Sequence, residues 1–247
     1  MRVLKTILII LIFAKSICHA QQKQNNTIQK YTLTGFINKK IPVELNISVS
    51  NQLILGDIRY LNTRLKQPIK IIGHIEDQNQ YSLHEFERDG NISGSIDATL
   101  KNNKLEGNWS STKSDTSYTI ILALKTNQNL KPEIFSPLKP DQLAGEYAYQ
   151  YGEKGYQGSI TIKKISGNTY SYDIGSVTHD PGRNIADASG KAVLKNNQLI
   201  IKVNKSCAFK VKFYNGFLII SQESPFQLND CEFGFNATLE GTYLKVK

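Results

Sequence analysis

The sequence contains few residues of the types that bind metal ions or act as nucleophiles. Its 247 residues include three cysteines and four histidines, and no two histidines stand at a spacing typical of a metal site. It also contains neither a Gly-x-Ser-x-Gly segment nor a glycine-rich phosphate-binding loop. The sequence therefore predicts a protein without enzymatic activity, cofactor or metal ion. Paired carboxylates stay open as an alternative, because their spacing in a fold is spatial rather than sequential.

Long apolar stretches are also rare. The longest, residues 7–14, follows Arg2 and Lys5 and leads to small residues that end at Ala20. It is too short to cross a hydrocarbon core of roughly 30 Å as a helix. The arrangement is typical of a secretory signal peptide over residues 1–20, which we expect to be cleaved after Ala20. Cys18 follows lysine, serine and isoleucine, so we expect no lipid anchor and no stable membrane insertion. The mature protein should be periplasmic or secreted.

Cleavage would leave two cysteines, Cys207 and Cys231. In an oxidising compartment such a pair is expected to form a disulfide, whereas a tetrahedral zinc site would need further ligands nearby. The closed loop spans 24 residues (231 minus 207). Chain entropy alone then predicts a stabilisation of about 3 kcal/mol. Cys207 shares a strand face with the apolar residues Phe209 and Phe213, so the disulfide should point inward.

The charge is mildly basic. The formal net charge is +9, and removal of Arg2, Lys5 and Lys15 leaves 27 basic against 21 acidic residues, which is +6. The two halves share this excess equally and neither contains a dense run of lysine or arginine. We therefore do not expect nucleic acid as a partner.

Three of the seven prolines lie close together, at Pro132, Pro137 and Pro140. Proline lacks a backbone donor and restricts the residue before it, so this region predicts a semi-rigid linker over residues 128–141. The linker would separate an N-terminal domain, residues 27–127, from a C-terminal domain, residues 142–247.

Apolar and polar residues alternate on both sides of the linker. The clearest case is residues 41–49, where Val43, Leu45 and Ile47 would share one face of a strand. Similar patterns predict eight strands in each half: 31–37, 41–49, 53–61, 68–75, 79–86, 91–100, 104–111 and 117–125, then 144–151, 156–165, 168–178, 189–195, 198–203, 206–214, 217–222 and 233–246. Short strands lose their exposed edges most easily by closure. The predicted fold class is therefore all-β, with two antiparallel up-and-down barrels of about eight strands each.

One motif, A-x-L-K-N-N-x-L, occurs at residues 98–105 and again at residues 192–199. In both places the Asn-Asn pair separates two apolar-patterned segments, and asparagine tolerates left-handed backbone. The motif therefore predicts two hairpin tips. Asn215-Gly216 predicts a third tip, with the two positive φ values of a type I′ turn.

Two irregular segments of the C-terminal half are the candidate binding surface. One mixes charged and aromatic residues around a Pro-Gly turn, and the other places charges and tyrosines among glycines. Loops on a rigid scaffold often carry function, and tyrosine is enriched at recognition surfaces. The plain alternative is an ordinary polar turn. The candidate residues are Glu153, Lys154, Tyr156, His179, Asp180 and Arg183.

Short motifs in the first half occur in a recognisable order: Gly35, Pro42-Val-Glu-Leu45, Gly56-Asp-Ile-Arg-Tyr60, Ile71-Ile-Gly73, Leu83-His-Glu85, Gly94 and Leu105-Glu-Gly-Asn-Trp109. Residues 35–109 thereby resemble a family of bacterial exported domains of unassigned function. The pair Gly107-x-Trp109 also looks like the signature of lipocalin and avidin barrels, although it lies at the seventh predicted strand rather than the first.

The end of the chain carries a second resemblance. Residues 231–243 look like the close of small periplasmic barrels that include relatives of lysozyme inhibitors. The inhibitors' Ser-Gly-x-x-Tyr motif is half matched by Ser189 and Gly190, with Val193 in place of the tyrosine. This resemblance implies a protein partner such as a cell-wall hydrolase.

Together these features predict an exported, non-catalytic binding protein, an inhibitor or immunity factor against a cell-wall hydrolase such as lysozyme. The alternative is a small-ligand carrier of lipocalin or avidin type, because an eight-stranded barrel can hold one ligand. Bulky residues at inward positions, such as Leu45 and Phe213, favour a filled interior instead.

Overall fold

The computed structural model describes residues 28–76, 79–130, 138–139, 142–223 and 228–247. The predicted signal peptide and most of the predicted linker lie outside these residues. The strands are β1 Ile28–Ile37, β2 Ile41–Ser50, β3 Leu53–Tyr60, β4 Ile69–Ile75, β5 Gln80–Phe86, β6 Asn91–Lys101, β7 Lys104–Ser111, β8 Ser117–Leu130, β9 Gly145–Tyr151, β10 Gln157–Ser166, β11 Thr169–Val177, β12 Ile185–Val193, β13 Gln198–Lys202, β14 Ala208–Tyr214, β15 Phe217–Gln222 and β16 Gly241–Lys245. A 3₁₀ helix spans Leu228–Cys231. The all-β prediction is confirmed.

Strands β1 to β8 form a closed antiparallel barrel, which we call the first barrel. Each strand pairs with the next, and β1 returns to pair with β8, where Ile37 lies opposite Ile120. Inward side chains such as Leu33, Leu45 and Leu122 are fully buried, as the period-two pattern predicts. Closure removes the free edges that a sheet would otherwise expose.

The largest differences from the predicted strand ends occur at three strands. Strand β8 runs to Leu130, which lies opposite Ile28, so the first three residues of the predicted linker are strand. Strand β12 begins at Ile185, before the predicted start at 189. Strand β16 begins at Gly241 and not at 233, because a turn closed by the Ala237 amide on the Gly234 carbonyl, with a positive φ at Asn236 (58°), interrupts the extended backbone.

Strands β9 to β16, which we call the second strand set, do not close in the same way. Their order is β12-β11-β10-β9-β16-β15-β14-β13. Between β12 and β13 the described residues share one bridge, Lys195 with Gln198. The Leu194 amide donates to the Asn168 carbonyl at 2.7 Å, which continues the ladder between β11 and β12 beyond Val193. The predicted second barrel is therefore a curved sheet with a seam.

The first barrel and the second strand set are joined into one hydrogen-bonded sheet. Strand β9 pairs in parallel with β6, with Ile92 opposite Tyr151. Ile72, Phe86 and Ile92 on the outside of the first barrel are 1–3 % exposed and belong to the apolar core of the second set. The two halves consequently pack together, which the alternation pattern within each strand does not reveal.

Two of the three predicted hairpin tips have the expected backbone. Asn102 and Asn103 have φ values of 52° and 61°, and the pair at residues 196–197 has 50° and 60°. At the third tip only Gly216 has a positive φ (83°), so the type I′ prediction for Asn215-Gly216 is wrong. One positive φ at the second central residue is the pattern of a type II turn.

The predicted cysteine pair is confirmed. Cys207 and Cys231 form a disulfide with a Cα–Cα distance of 5.0 Å, and both residues are buried. Phe209 and Phe213 share the inward face with Cys207 and are 0–1 % exposed. The bond fixes the segment before β16 to the start of β14. A second tie is the side-chain amide of Asn204, which donates to the Asp230 carbonyl at 2.7 Å.

Removal of the disulfide should destabilise the fold. We expect the double variant Cys207→Ser, Cys231→Ser to lose about 3 kcal/mol of unfolding free energy, because the unfolded chain regains loop entropy. Urea unfolding of the oxidised protein and the variant measures this difference. Equal midpoints would show that the bond contributes no net stability.

Truncation of an inward aromatic tests whether the second strand set has a filled interior. Phe213 is 1 % exposed, so Phe213→Ala should cost about 3–5 kcal/mol through lost contacts and the resulting cavity. Lys212→Ala, one residue away on the exposed face, is the matched control. An unchanged urea midpoint for Phe213→Ala would contradict tight packing at this position.

Candidate functional site

The six residues predicted as a binding surface lie on two neighbouring loops at one end of the second strand set. Residues 152–156 connect β9 to β10, and residues 178–184 connect β11 to β12. The Asp180 amide donates to the Lys154 carbonyl at 2.8 Å. The rings of Tyr156 and His179 meet edge to face at 5.1 Å between centroids. Segments that are some 25 residues apart in sequence therefore form one continuous surface.

The loop from β11 to β12 is held in shape by its own hydrogen bonds. The backbone amide of Thr178 donates to the Asn184 carbonyl at 2.9 Å, and the Asn184 amide donates to the Thr178 hydroxyl at 2.9 Å. Thr178 is 5 % exposed, so this closure is shielded from water. Arg183 Nε then approaches Asp180 Oδ1 at 3.5 Å, while Arg183 Nη1 is buried without a described hydrogen-bond partner. The loop thus presents its charges from a defined position.

The loop from β9 to β10 also borders a cleft between the first barrel and the second strand set. The cleft has a volume of about 720 Å³. We call the cleft and the two loops the junction surface. The polar and charged residues that line the cleft come from both halves: Glu87, Asn91, Thr112, Lys113, Ser114, Asp115, Gln150, Glu153 and Lys154.

Charges of both signs surround the cleft. Lys113 Nζ contacts Glu87 Oε1 at 2.8 Å, and this hydrogen bond raises the pKa of Lys113 above its usual value. No ion pair among the described residues involves Glu153, Lys154 or Asp115. A partner with complementary charges could therefore pair with these three groups without displacing an existing contact.

Sequence reasoning placed Glu153 and Lys154 on this surface and missed its other wall. Glu87 and Lys113 belong to loops of the first barrel that are far from β9 in sequence, and the Gln150 amide of β9 donates to the Gly90 carbonyl of one of these loops at 3.1 Å. The sequence signal for this contact is a glycine at each of the two places where the backbones of the two halves approach most closely, Gly90 and Gly152. At Gly90 an added Cβ would lie 2.7 Å from the Ala148 carbonyl oxygen, and at Gly152 it would lie 2.3 Å from the Thr112 carbonyl oxygen.

A second polar centre lies inside the first barrel and was not predicted. Glu85 is 2 % exposed, and its carboxylate accepts hydrogen bonds from Tyr60 Oη at 2.8 Å and Trp109 Nε1 at 2.9 Å. Ser93 Oγ donates a longer bond at 3.4 Å. Trp109 also stacks on Tyr118. Gly94 leaves room for the network, because an added Cβ would contact Trp109 Nε1 at 2.7 Å.

Burial raises the pKa of the Glu85 carboxyl above its usual range, and the three hydrogen bonds oppose this shift. None of the described ion pairs involves Glu85. The same environment raises the pKa of Tyr60, first through burial and then through the nearby carboxylate. The first barrel therefore contains a carboxyl group whose charge is opposed by its surroundings.

His84, the residue before Glu85 in β5, points to the opposite face of the sheet, towards the second strand set. His84 packs against Tyr151 with ring centroids 5.4 Å apart, and its Nδ1 lies 3.0 Å from Ser95 Oγ. Burial lowers the pKa of His84 to about 4, so the ring is neutral at physiological pH. Strand β5 thus carries a buried carboxyl group on its inner face and a neutral histidine at the contact between the halves.

No group of three or more histidine, cysteine, aspartate or glutamate residues with metal-binding geometry occurs in the described ranges. Within those ranges no helix has the length and apolar character needed to cross a membrane. No family model matches the chain, and no curated protein does.

One solved structure is similar to the chain. It is a protein of unknown function from the DUF3598 family of Nostoc punctiforme, with 11% sequence identity and a TM-score of 0.27. The match covers 82% of this chain and 81% of the other. At this level of similarity it carries no argument about function.

The resemblance of residues 231–243 to lysozyme-inhibitor barrels stays a prediction. Ser189 and Gly190 of the half-matched motif lie inside β12, where the Tyr172 hydroxyl covers Gly190.

Neutralisation of Glu85 should change how stability depends on pH. Because the folded-state pKa is raised, the folded protein keeps this proton to a higher pH than the unfolded chain does. Wild-type stability should therefore fall as the pH rises from the usual glutamate range through the raised pKa. Glu85→Gln keeps an oxygen for Tyr60 and Trp109, and its amide can donate to Ser93. We expect this variant to lack the fall.

The measurement is the unfolding free energy in urea from pH 4 to pH 8, compared between the wild type and each variant. Glu106→Gln, the same chemical change at a side chain that is 56% exposed, is the matched control and should follow the wild type. Parallel curves for the wild type and Glu85→Gln would contradict the raised pKa.

Proposed function

We propose that this protein is an exported, non-catalytic binding protein that recognises another protein through the junction surface. The partner class that we propose is a cell-wall hydrolase such as lysozyme, which the protein would inhibit. The observation that carries the proposal is the direct contact between the two candidate loops, through the Asp180 amide with the Lys154 carbonyl and Tyr156 with His179. A surface assembled from separate segments and held by backbone hydrogen bonds is pre-organised for binding.

The strands beneath the loops support this reading. Strand β9 is hydrogen-bonded to β10, β16 and β6, so the loop that follows it starts from a fixed position. The side chains of Glu153, Lys154 and Asp115 form no described ion pair and border a cleft large enough for a side chain of a partner. Complementary charge at such a rim steers association and selects partners.

The disulfide supports the proposed location in an oxidising compartment outside the cytoplasm. A buried Cys207–Cys231 bond is typical of proteins that mature under oxidising conditions. It agrees with the predicted cleavage after Ala20 and with a partner outside the cytoplasm. We further propose that residues 27–127 and 142–247 are two domains that pack through the β6–β9 contact.

Inhibition can be tested with the mature chain, residues 21–247, against a panel of lysozymes of different types. The readout is the rate at which each enzyme clears a suspension of cell walls. We expect one enzyme to be inhibited and Lys154→Glu to weaken this inhibition by about tenfold, since it reverses a charge at the rim. Lys163→Glu is the matched control. It makes the same change at an exposed position towards the far end of the β10–β11 hairpin, and it should inhibit like the wild type.

Uninhibited clearing with every lysozyme would remove that enzyme class from the proposal. Equal inhibition by Lys154→Glu and the wild type would place the contact elsewhere on the molecule. Native mass spectrometry of the protein from its own exported fraction separates this function from the carrier alternative. We expect the mass of residues 21–247 less two hydrogens, whereas a persistent extra mass of a few hundred daltons would favour a carrier.

A further inference from the structure

The lysines of the C-terminal half are concentrated in one stretch of sequence. Residues 191–222 contain six lysines and no aspartate or glutamate. Basic and acidic residues of the C-terminal half are therefore separated along the sequence, since the acidic ones lie on either side of this stretch. The net charge of the half as a whole does not reveal this separation. We call the six residues the lysine face: Lys191, Lys195, Lys202, Lys205, Lys210 and Lys212.

Strands β13 and β14 place three of these lysines on one outer surface. The alternate residues Leu199, Ile201, Phe209, Val211 and Phe213 are 0–1 % exposed and point inward. Lys202, Lys210 and Lys212 therefore point outward. The strands pair with Ile200 opposite Lys210, so the lysines stand on adjacent strands of the same sheet. Lysines two residues apart along one strand are separated by roughly 7 Å, and the positive charges consequently reinforce one another.

The lysines of this surface are not paired with acidic side chains in the part of the chain that the structure describes. The described ion pairs include none of the six lysines. Glu223 borders one end of the lysine face, where it lines the same pocket as Lys202 and Lys205. The remaining charge is open to solvent and available to an anionic partner.

Apolar and aromatic groups stand among the lysines. Ile200 lies between Lys202 and the β12–β13 tip and is half-buried. Lys212 Nζ lies over the ring of Tyr214 at 5.3 Å, and Tyr214 stacks on Phe217 at 4.7 Å between centroids. Lysine stems with a tyrosine and an aliphatic side chain on a shallow sheet face match the groups that sit at the boundary between water and lipid headgroups.

We propose that the lysine face docks the protein on a membrane surface that contains anionic phospholipids. The lysine ammonium groups contact lipid phosphates while the Ile200 side chain lies at headgroup level. Docking is peripheral and does not require a membrane-crossing segment. It is also separate from the junction surface, so its test does not depend on the proposed hydrolase partner.

The shape of the surface favours a membrane over a nucleic acid. Proteins that bind single-stranded nucleic acid combine a basic groove with exposed aromatic rings on which bases stack. Here the ring of Tyr214 is already occupied by Lys212 on its face and by Phe217. Lys202, Lys210 and Lys212 stand on the outer face of paired strands, which fits a broad surface rather than a single strand.

Co-sedimentation of the mature chain with lipid vesicles tests the proposal. Vesicles of phosphatidylcholine alone are compared with a three-to-one mixture of phosphatidylcholine and phosphatidylglycerol. We expect binding to the mixture at low salt, release at high salt, and no binding to phosphatidylcholine alone. The triple variant Lys202→Gln, Lys210→Gln, Lys212→Gln should lower the partition coefficient about a hundredfold, since each lysine near an anionic surface contributes about a fivefold factor.

The matched control is Lys40→Gln, Lys101→Gln, Lys125→Gln, which removes the same charge from exposed positions of the first barrel. It should change partitioning by less than about threefold if docking is local rather than a response to net charge. Thermal unfolding of both triple variants establishes that they are folded, and the single variant Lys212→Gln repeats the test with less perturbation.

Three outcomes would overturn the proposal. The first is a wild-type protein that does not bind the phosphatidylglycerol vesicles at low salt. The second is an equal loss of binding in the two triple variants, which would reduce the effect to overall charge. The third is salt-sensitive binding to a DNA strand with no binding to vesicles, which would assign the face to a soluble polyanion.

Discussion

The parallel contact between β6 and β9 determines where every other part of the candidate site lies. It is short, with Asn91 opposite Gln150 and Ile92 opposite Tyr151, yet it makes one sheet out of two sets of strands. The loops on either side of it then face a common cleft. Without this contact Lys113 and Lys154 would belong to unrelated surfaces. Apolar burial of Ile72, Phe86 and Ile92 stabilises the contact well beyond its few hydrogen bonds.

The period-two pattern was sufficient to predict sixteen strands, because it depends on local alternation, and the cysteine number was sufficient to predict the disulfide. Closure was predicted for both halves, because it removes exposed edges, and the structure shows it for the first eight strands. The pattern could not predict the seam between β12 and β13, since the same A-x-L-K-N-N-x-L motif forms a full hairpin at residues 98–105. The two copies differ beyond the tip, because β6 and β7 continue as a paired ladder, whereas β12 and β13 share only the bridge between Lys195 and Gln198 among the described residues.

The sequence contains a signal for the buried position of Glu85 that the sequence analysis above does not include. Tyr81, Leu83 and Glu85 alternate along β5, which places the carboxyl on the inner face with two apolar residues. An acidic residue at an inward position of a strand predicts either a satisfied polar network or a functional group. The partners Tyr60 and Trp109 come from β3 and β7, so only the three-dimensional structure identifies them. The same reason explains why only one side of the junction surface was predicted. Its other side, with Glu87 and Lys113, comes from loops that are distant in sequence.

Closure of the first barrel also constrains the order in which the molecule can fold. The ladder between β1 and β8 joins residues 28–37 to residues 120–130, which are the most distant partners in that barrel. Such contacts form slowly, because a loop of nearly the whole barrel must close before they contribute. Until then β1 and β8 each expose an unpaired edge that another chain could join. The newly made chain therefore passes through a period in which it is prone to self-association, and this vulnerability ends when β8 reaches β1.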